Sequence, residues 1–405
     1  MFPRMLELED AVTRILAAVP AGGSERIALA EATGRVLAEE LHSPIPLPPF
    51  DNSAMDGYAV RAADTQSASA SAPVGLRLIG RSAAGDYFRG ELAAGQCIRL
   101  FTGSVLPSGA DAVVMQEDTR LSPDRPDAVL ICDRVQPGEN IRRRGDDISA
   151  GALIGATGEV IGAGHVALLA ATGVSAVTVG RQPTVGLLAT GSELREPGAQ
   201  LAPGQIYESN RHCLAALVRR AGGKPITYPL VADALDATAL ALRTALNDCD
   251  LIITSGGVSV GEMDFVKAAF EKLGGKLEFW KVAIRPGKPF VFGGCGRKFL
   301  FGLPGNPVSA FVTFLLLARP ALMRWQGARA TALPEQPGRT AEAFSNSGDR
   351  RHFLRVRVDA TGLVHSTGRQ ASHALGSLAA ANGLLSLPPH SSRAAGENVM
   401  VLRWD

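Results

Sequence analysis

The sequence predicts a multidomain chain of mixed class, in which a doubly wound, mostly parallel α/β domain is accompanied by β-rich segments. Three observations carry this. Strand-like and helix-like runs alternate between residues 181 and 330, and short β-like runs separated by glycine and proline turns fill residues 50–148. After Pro334 the texture returns to strands with Gly, Ser and Pro between them. At 405 residues the chain exceeds one ordinary core, so roughly two to four domains are expected.

Composition bounds the rest. Hydrophobic residues make up 46% and charged residues 20%, the usage of a globular protein. The net charge of +2, from 41 basic and 39 acidic residues, gives no bulk case for a nucleic-acid or membrane partner. Cys97, Cys132, Cys213, Cys249 and Cys295 are scattered and form no C-x-x-C pair, the pattern of reduced thiols. Glu7, Glu9 and Asp10 precede any long apolar run, and the apolar stretch 311–318 is shorter than a bilayer span. A cytoplasmic protein is expected.

Along the chain, residues 1–41 read as two short helices, the first ended by Pro20-Ala21-Gly22-Gly23. The prolines Pro44, Pro46, Pro48 and Pro49 then enforce extended backbone at a boundary. Strands are expected at 75–79, 96–100 and 112–115, with a Ser/Ala loop at 65–72. Residues 149–180 are glycine-spaced and apolar, with a helix near 163–171. Strands at 185–189, 226–231 and 251–254 alternate with helices at 205–220, 236–247 and 264–273. Further strands fall at 279–284, 290–292 and 299–301, and a closing helix spans 307–325. A compact β domain of roughly 70 residues follows.

The chemistry-bearing stretches lie just after strands, where open α/β sheets bind ligands. The most informative is Thr254-Ser255-Gly256-Gly257-Val258-Ser259-Val260-Gly261-Glu262-Met263-Asp264. Its glycines allow a tight turn with bare N–H groups, and Asp264 follows as a carboxylate able to hold a metal or a hydroxylated ligand. Two other loops share this placement: Ala189-Thr190-Gly191-Ser192-Glu193-Leu194, and Gly302-Leu303-Pro304-Gly305-Asn306-Pro307-Val308-Ser309. In the latter, Pro307 suits the first position of a helix whose N–H groups can take an anion. Asp233 ends a nearby strand. Any one loop is as readily a plain connection; three on one edge favour a site. The run containing Lys281, Arg285 and Lys288 is broken by Pro286-Gly287, so it must form a strand and a turn. Alone it is a solvated basic turn. Beside Glu193, Asp233 and Asp264 it suits an anion clamp with Mg²⁺ on the carboxylate oxygens.

Three more runs are undecided on physical grounds: Pro48 to Val60, which alone favours a structured loop with Asx turns, residues 101–104 with Asp111 and Glu117, and Arg142-Arg143-Arg144-Gly145-Asp146-Asp147. Each is equally a self-paired polar loop. No H-E-x-x-H, G-x-x-x-x-G-K-[ST] or G-x-S-x-G motif occurs.

Taken together, the runs FDNSAMDGYAV (50–60), FTG with GADAVVMQE (101–103, 109–117), IRRRGDDIS (141–149), SGGVSVGEMD (255–264) and GLPGNPVS (302–309) resemble the MoeA-type molybdopterin molybdenumtransferase family, and they stand in family order. The resemblance implies a discontinuous N-terminal region at 1–45 and 149–180 and an inserted β-rich domain at 46–148. It further implies a molybdopterin-binding α/β domain at 181–330 and a small C-terminal β-barrel at 331–405. It implies an elongated homodimer whose cleft lies between the α/β domain of one subunit and parts of the other. The implied reaction joins molybdate to adenylylated molybdopterin, with Mg²⁺, giving molybdenum cofactor and AMP.

Carried over position by position, Glu193, Asp233 and Asp264 match the acidic pterin-phosphate and metal site, and Lys281, Arg285 and Lys288 the basic run. Gly256, Gly257 and Ser259 fall in the second loop, and Pro304, Gly305, Asn306 and Pro307 in the third. Asp56, Thr102 and Asp147 fall in the β-rich motifs, Asp56 among the catalytic positions, while Arg355 and Ser372 are matches on a shorter motif. Ser192 stands where many relatives carry an acid, and Ser104 where alanine is common. A scaffolding role, as in a homologous receptor-clustering domain of animals, and the adenylyltransferase of the same pathway are the alternatives. A molybdopterin-adenylylating protein and acceptor molybdoenzymes are the implied partners.

Overall fold

The structure is a computed structural model and describes residues 5–257 and 265–404. Two compact units form, one from Met1–Glu39, Thr157–Gly162 and Ala176–Asp405, the other from Glu40–Ala156 and Ala163–Ser175.

The first unit is organised by a six-stranded sheet: β1 (Thr184–Ala189), β2 (Lys224–Thr227), β3 (Leu251–Ser255), β4 (Lys276–Lys281), β5 (Pro289–Cys295) and β6 (Lys298–Leu303), in the order β2-β1-β3-β6-β5-β4. The first four in that order are parallel, whereas β5 runs antiparallel to both its neighbours. By parity, β4 again points with the parallel group. The carboxyl ends of β1, β2, β3, β4 and β6 and the start of β5 therefore all emerge at one edge.

Strand periodicity dictates how this sheet is covered. On one face Val185, Leu187, Leu251, Ile253 and Phe301 pack with Leu214 and Val218 of the helix Asn210–Arg220 and with Phe311 and Phe314. On the other, the intervening Leu188, Ile252, Val291 and Leu300 pack against Leu242 and Ala245 of Leu235–Asp248 and Val266, Ala269 and Phe270 of Phe265–Lys272. A continuous helical stretch, Pro307–Trp325, is apolar over most of its surface, and 89% of its most apolar window is buried, which identifies it as a core helix. Its middle, Phe314–Ala318, is π-helical. Pro320 has no N–H to give the Leu316 carbonyl, a known source of such widening.

The amino edge of the sheet is tied by Asp250. Its carboxylate takes both Arg181 guanidinium N–H groups, at 3.2 and 2.9 Å, and the Thr184 N–H and hydroxyl, each at 2.9 Å. Burial raises the carboxyl's pKa, but the Arg181 and Thr184 bonds outweigh it and hold the group below the ordinary value.

The C-terminal part of this unit is a closed barrel. Arg351–Val358 pairs with Leu363–Ser366, which pairs with Glu335–Thr340, then Asn398–Arg403, then Gly383–Leu387, which returns to Arg351–Val358. At the N-terminus one helix, Leu8–Ala18, forms and buries Ala11 and Ile15. The expected second helix does not. Ser24–Ala28 is a strand paired antiparallel with Ala176–Gly180, and only Leu29–Glu31 makes a 3₁₀ turn. The ladder to a segment about 150 residues away overrides a weak helical preference.

The second unit carries a mixed sheet in the order Ala112–Met115, Gly57–Val60, Gln96–Leu100, Val74–Ser82, Ala128–Ile131, Thr119–Leu121. Its two faces bury Tyr58, Val60, Cys97 and Val114, and Ala59, Ile98, Leu100 and Val113.

Asp250→Asn should lower stability by about 1–2 kcal/mol at neutral pH, because the half-exposed Arg181 contact and two Thr184 bonds lose their charge. A depressed folded-state pKa stabilises above the unfolded value near 3.9 and loses that contribution as pH falls through the folded value. Urea unfolding should thus show a gap between the two proteins at pH 7 that closes as pH falls below the ordinary aspartate range. A gap independent of pH would contradict this.

Candidate active site

The shared edge collects most of the residues singled out in the sequence. After β1 and β2 the chain crosses over itself. Ser192 N–H donates to Asp233 Oδ2 at 3.1 Å, Asp233 N–H donates to Ser192 Oγ at 3.3 Å, and Gly191 N–H meets the Val231 carbonyl at 3.2 Å. Glu193 and Asp233 are thereby held within a residue of each other, Glu193 exposed and Asp233 half-buried. The carboxylate oxygens suit a hard cation that keeps much of its water. Among the described residues no cluster of three His, Cys, Asp or Glu forms. Asp264, like Ser259, lies outside the described residues.

After β3, Gly256 and Gly257 have φ of 86° and 65°. A Cβ on Gly256 would sit 2.7 Å from the Thr190 carbonyl oxygen, and one on Gly257 would sit 2.8 Å from Val266 Cγ2 and 2.9 Å from Thr190 Oγ1. Only glycine combines that backbone with such close approach. The buried Thr190 and Thr254 hydroxyls have no hydrogen-bond partner. After β6, Pro304 and Gly305 lead to Asn306 and Pro307 at the start of the helix. Asn210 Nδ2 links the second and third loops, donating to Ser255 Oγ at 3.2 Å and to the Gly305 carbonyl at 2.7 Å. Nothing in the sequence marked Asn210, and Thr190 was marked only as part of the first glycine loop, because each acts through contacts distant along the chain.

The basic run lies at the far end of the same edge. Lys281 closes β4, Lys288 precedes β5, and the Val282 N–H bonds the Lys288 carbonyl at 3.2 Å, so the turn doubles back on itself. Arg285 and Lys288 are exposed. Arg285 is in register with His352 of the barrel, and Arg350 donates to the Ile284 carbonyl at 2.9 Å. Burial, with Arg285, Arg355 and Arg350 nearby, drives the His352 pKa down to about 4. The imidazole marks where positive charge concentrates.

Arg355 is fully buried. Its Nε donates to Ser377 Oγ at 2.9 Å, and its Nη2 to the Arg369 and Ala371 carbonyls at 2.8 and 3.2 Å. The next residue, Ser372, offers its carbonyl to the Val308 N–H at 3.1 Å. One helix-start N–H of the third loop is therefore already taken, and Arg355 serves as a positioning residue for the segment that takes it.

The β-rich motifs form paired loops within the second unit. Asp56 Oδ1 accepts the Thr102 N–H and hydroxyl, each at 2.8 Å, and these bonds lower its pKa. Asp51 accepts Arg144 N–H and Arg143 Nη1, each at 2.8 Å, and its carboxyl is likewise held low. Asp147 is exposed and gives its N–H to the Leu47 carbonyl at 3.0 Å. A separate cavity of about 1260 Å³ in the first unit, lined by Leu8, Val12, Leu316, Phe353 and Leu402 among others, contains none of the candidate residues.

His352 yields a pH signature. A folded pKa near 4 against about 6.5 unfolded means the stabilisation is complete above 6.5 and is lost as pH falls from 6.5 toward 4. His352→Gln should flatten the stability profile across that window. An unchanged profile, followed by thermal unfolding, would refute the assignment.

The comparisons with known proteins agree with this geometry. Residues 6–173 match the MoeA N-terminal region (domain I and II), 186–324 a probable molybdopterin binding domain, and 337–404 the MoeA C-terminal region (domain IV). A Haemophilus influenzae protein named molybdopterin molybdenumtransferase is 38% identical over 404 residues, covering 98% of each chain. A Bacillus subtilis protein of the same name is 36% identical, over 95% of this chain and 90% of its own. The crystal structure of a molybdopterin biosynthesis MoeA protein from Pyrococcus horikoshii aligns with TM-score 0.85 at 31% identity, covering 99% of this chain and 100% of the other. With its closed C-terminal barrel, its doubly wound sheet and full-length similarity to these proteins, the chain belongs to the MoeA family.

Proposed function

We propose that this protein is a molybdopterin molybdenumtransferase that joins molybdate to adenylylated molybdopterin and releases molybdenum cofactor and AMP, with Mg²⁺ required. The observation that carries the reading is the graded sheet edge. Glu193 and Asp233 lie at the β1/β2 end, the glycine turn at Gly256 and Gly257 and the third loop in the middle, with the Gly256 N–H bonded to the Leu303 carbonyl, and Lys281, Arg285 and Lys288 at the β4/β5 end. Such an edge can hold a substrate that is anionic along its length and carries a metal-binding phosphate at one end.

Each group has a separable task. Glu193, Asp233 and Asp264 would hold Mg²⁺, which when bound supplies charge neutralisation at the phosphoanhydride. The Gly257 amide orients the pterin phosphate, and the basic turn holds the incoming oxyanion near the dithiolene. Thr190 and Asn210 keep the loops at fixed separation. No protein nucleophile is needed, since the substrate brings two sulfurs and an activated phosphate. As two Mo–O bonds are replaced by Mo–S bonds to the dithiolene, the thiol protons leave with the expelled oxygens as water, and one such water adds across the phosphoanhydride to give the pterin phosphate and AMP. The protein is proposed to work as a cytoplasmic homodimer.

AMP release from adenylylated molybdopterin, molybdate and Mg²⁺ tests the reading. Asp233→Asn and Asp264→Asn should each slow it about 100-fold or more while the protein stays folded. Lys288→Gln should instead raise the molybdate concentration needed for half-maximal rate. Chelation of Mg²⁺ should stop release and its return restore it. AMP release undiminished in both aspartate variants would sink the assignment, as would adenylylation of molybdopterin by ATP with no AMP release from the adenylylated form.

A further inference from the structure

One buried guanidinium ties together the two chain exits that carry Glu193 and Asp233. Arg211 stands in the first turn of the helix Asn210–Arg220 and is fully buried. Its Nε donates to Glu208 Oε2 at 3.0 Å, its Nη2 to Glu196 Oε1 at 2.6 Å, and its Nη1 to the Tyr228 carbonyl. Glu208 is equally buried and also accepts the Arg211 N–H at 2.8 Å, whereas Glu196 is exposed.

These acceptors belong to three separate pieces of chain. Glu196 lies three residues beyond Glu193 on the exit from β1, and Tyr228 lies five before Asp233 on the exit from β2. Glu208 ends the excursion that leads from β1 to the helix. Within it Leu194–Arg195 pairs in parallel with Ile206–Tyr207. The Ile206 N–H meets the Glu193 carbonyl at 3.0 Å, and the Glu208 N–H meets the Arg195 carbonyl at 2.9 Å. The Glu193 backbone is thus bonded to the same excursion that Arg211 holds at Glu196 and Glu208.

Stability gives a weak reason for this arrangement. A cation at a helix N-terminus opposes the helix dipole, and a buried ion pair returns little beyond its own desolvation cost. Geometry gives a stronger one, since a planar guanidinium fixes the direction of every acceptor it binds. Three acceptors on one rigid plane allow the exits from β1 and β2 a single relative position. We propose that Arg211 is a positioning residue that sets the spacing of the Glu193 and Asp233 carboxylates, and thereby the affinity of this edge for a hard divalent cation. The inference rests on the reading of those carboxylates as cation ligands. Groups that orient metal ligands from behind govern affinity by about 10- to 100-fold. Charge alone predicts the opposite sign, because removing a nearby guanidinium relieves repulsion and tightens cation binding.

Mn²⁺ titration of the full-length protein, read by loss of the free-ion EPR signal, follows the site without turnover. Chloride at about 1 M shortens the Debye length to about 3 Å and screens the exposed charges. Half-saturation should rise about tenfold in Arg211→Gln, although a repelling charge is gone. Glu196→Gln changes an exposed residue and leaves the buried Arg211–Glu208 pair in place; it should raise half-saturation about threefold. Hydrogen exchange should quicken over residues 191–197 and 228–233 in both variants. Asp250→Asn, which destabilises the opposite edge of the sheet, should bind Mn²⁺ like the parent and so separates position from stability. Tighter binding in Arg211→Gln, half-saturation unmoved in Glu196→Gln, or an equal rise in Asp250→Asn overturns the inference and leaves the cation reading standing. Mn²⁺ binding undiminished by Asp233→Asn overturns the cation reading, and the inference with it.

Discussion

The central constraint is that β3 is buried along its whole length and bonded on both sides by parallel partners. Parallel neighbours in register begin together and end together, so every loop that leaves a carboxyl end leaves at one edge. Asp250 fixes the other edge through Arg181 and Thr184, which leaves no freedom to slip. The three loops are therefore juxtaposed by the ladder, and their contents need only be compatible with that closeness. Gly256 shows how tight the compatibility is: its carbonyl neighbour is Thr190, and a Cβ at Gly305 would lie 3.6 Å from the Gly256 Cα.

The edge also explains how a chain of net charge +2 can discriminate anions. Strand order separates the signs. Carboxylates gather where β1 and β2 end, and cations gather where β4 and β5 meet, about four strands away in the sheet. A substrate with cation-binding phosphate at one end and an oxyanion-accepting group at the other is read by position, and bulk charge contributes little. Burial first, and then Arg285, Arg355 and Arg350 converging where barrel and basic turn share a ladder, lowers the His352 pKa.

Much of this was legible before any coordinates. Alternating apolar periods over 181–330 locate the sheet, and the glycine loops after its strands do leave at one edge of it. The breaking of the basic run by Pro286-Gly287 correctly excludes a helix there. What local reading missed had long-range causes. Ser24–Ala28 is a strand because Ala176–Gly180 offers it a ladder, which no window of sequence contains. Asn210 opens its helix and also spans two loops. Arg355 matched a binding position, yet its guanidinium is buried among carbonyls and positions residues 369–371. The undecided motifs of the second unit are cross-loop pairs, Asp51 with Arg143 and Arg144, and Asp56 with Thr102, at separations of 92, 93 and 46 residues.

Those pairs bear on why such motifs can be strong in sequence and modest in energy. Asp56 and its Thr102 partner are exposed, and exposed polar pairs contribute little to stability. A hydroxyl and an amide fixed on one carboxylate oxygen nevertheless hold that aspartate ionised in a single orientation. Asp51, held by a backbone N–H and a guanidinium, is fixed in the same way. Loops that gain little stability from such exact partners are shaped for presentation, so their residue identities are set by what they offer outward. The sheet edge follows the opposite logic, with its orientation imposed by a buried ladder and its glycines by steric closeness. The two units thus reach preorganisation by different physical means, one through surface pairing and one through core packing.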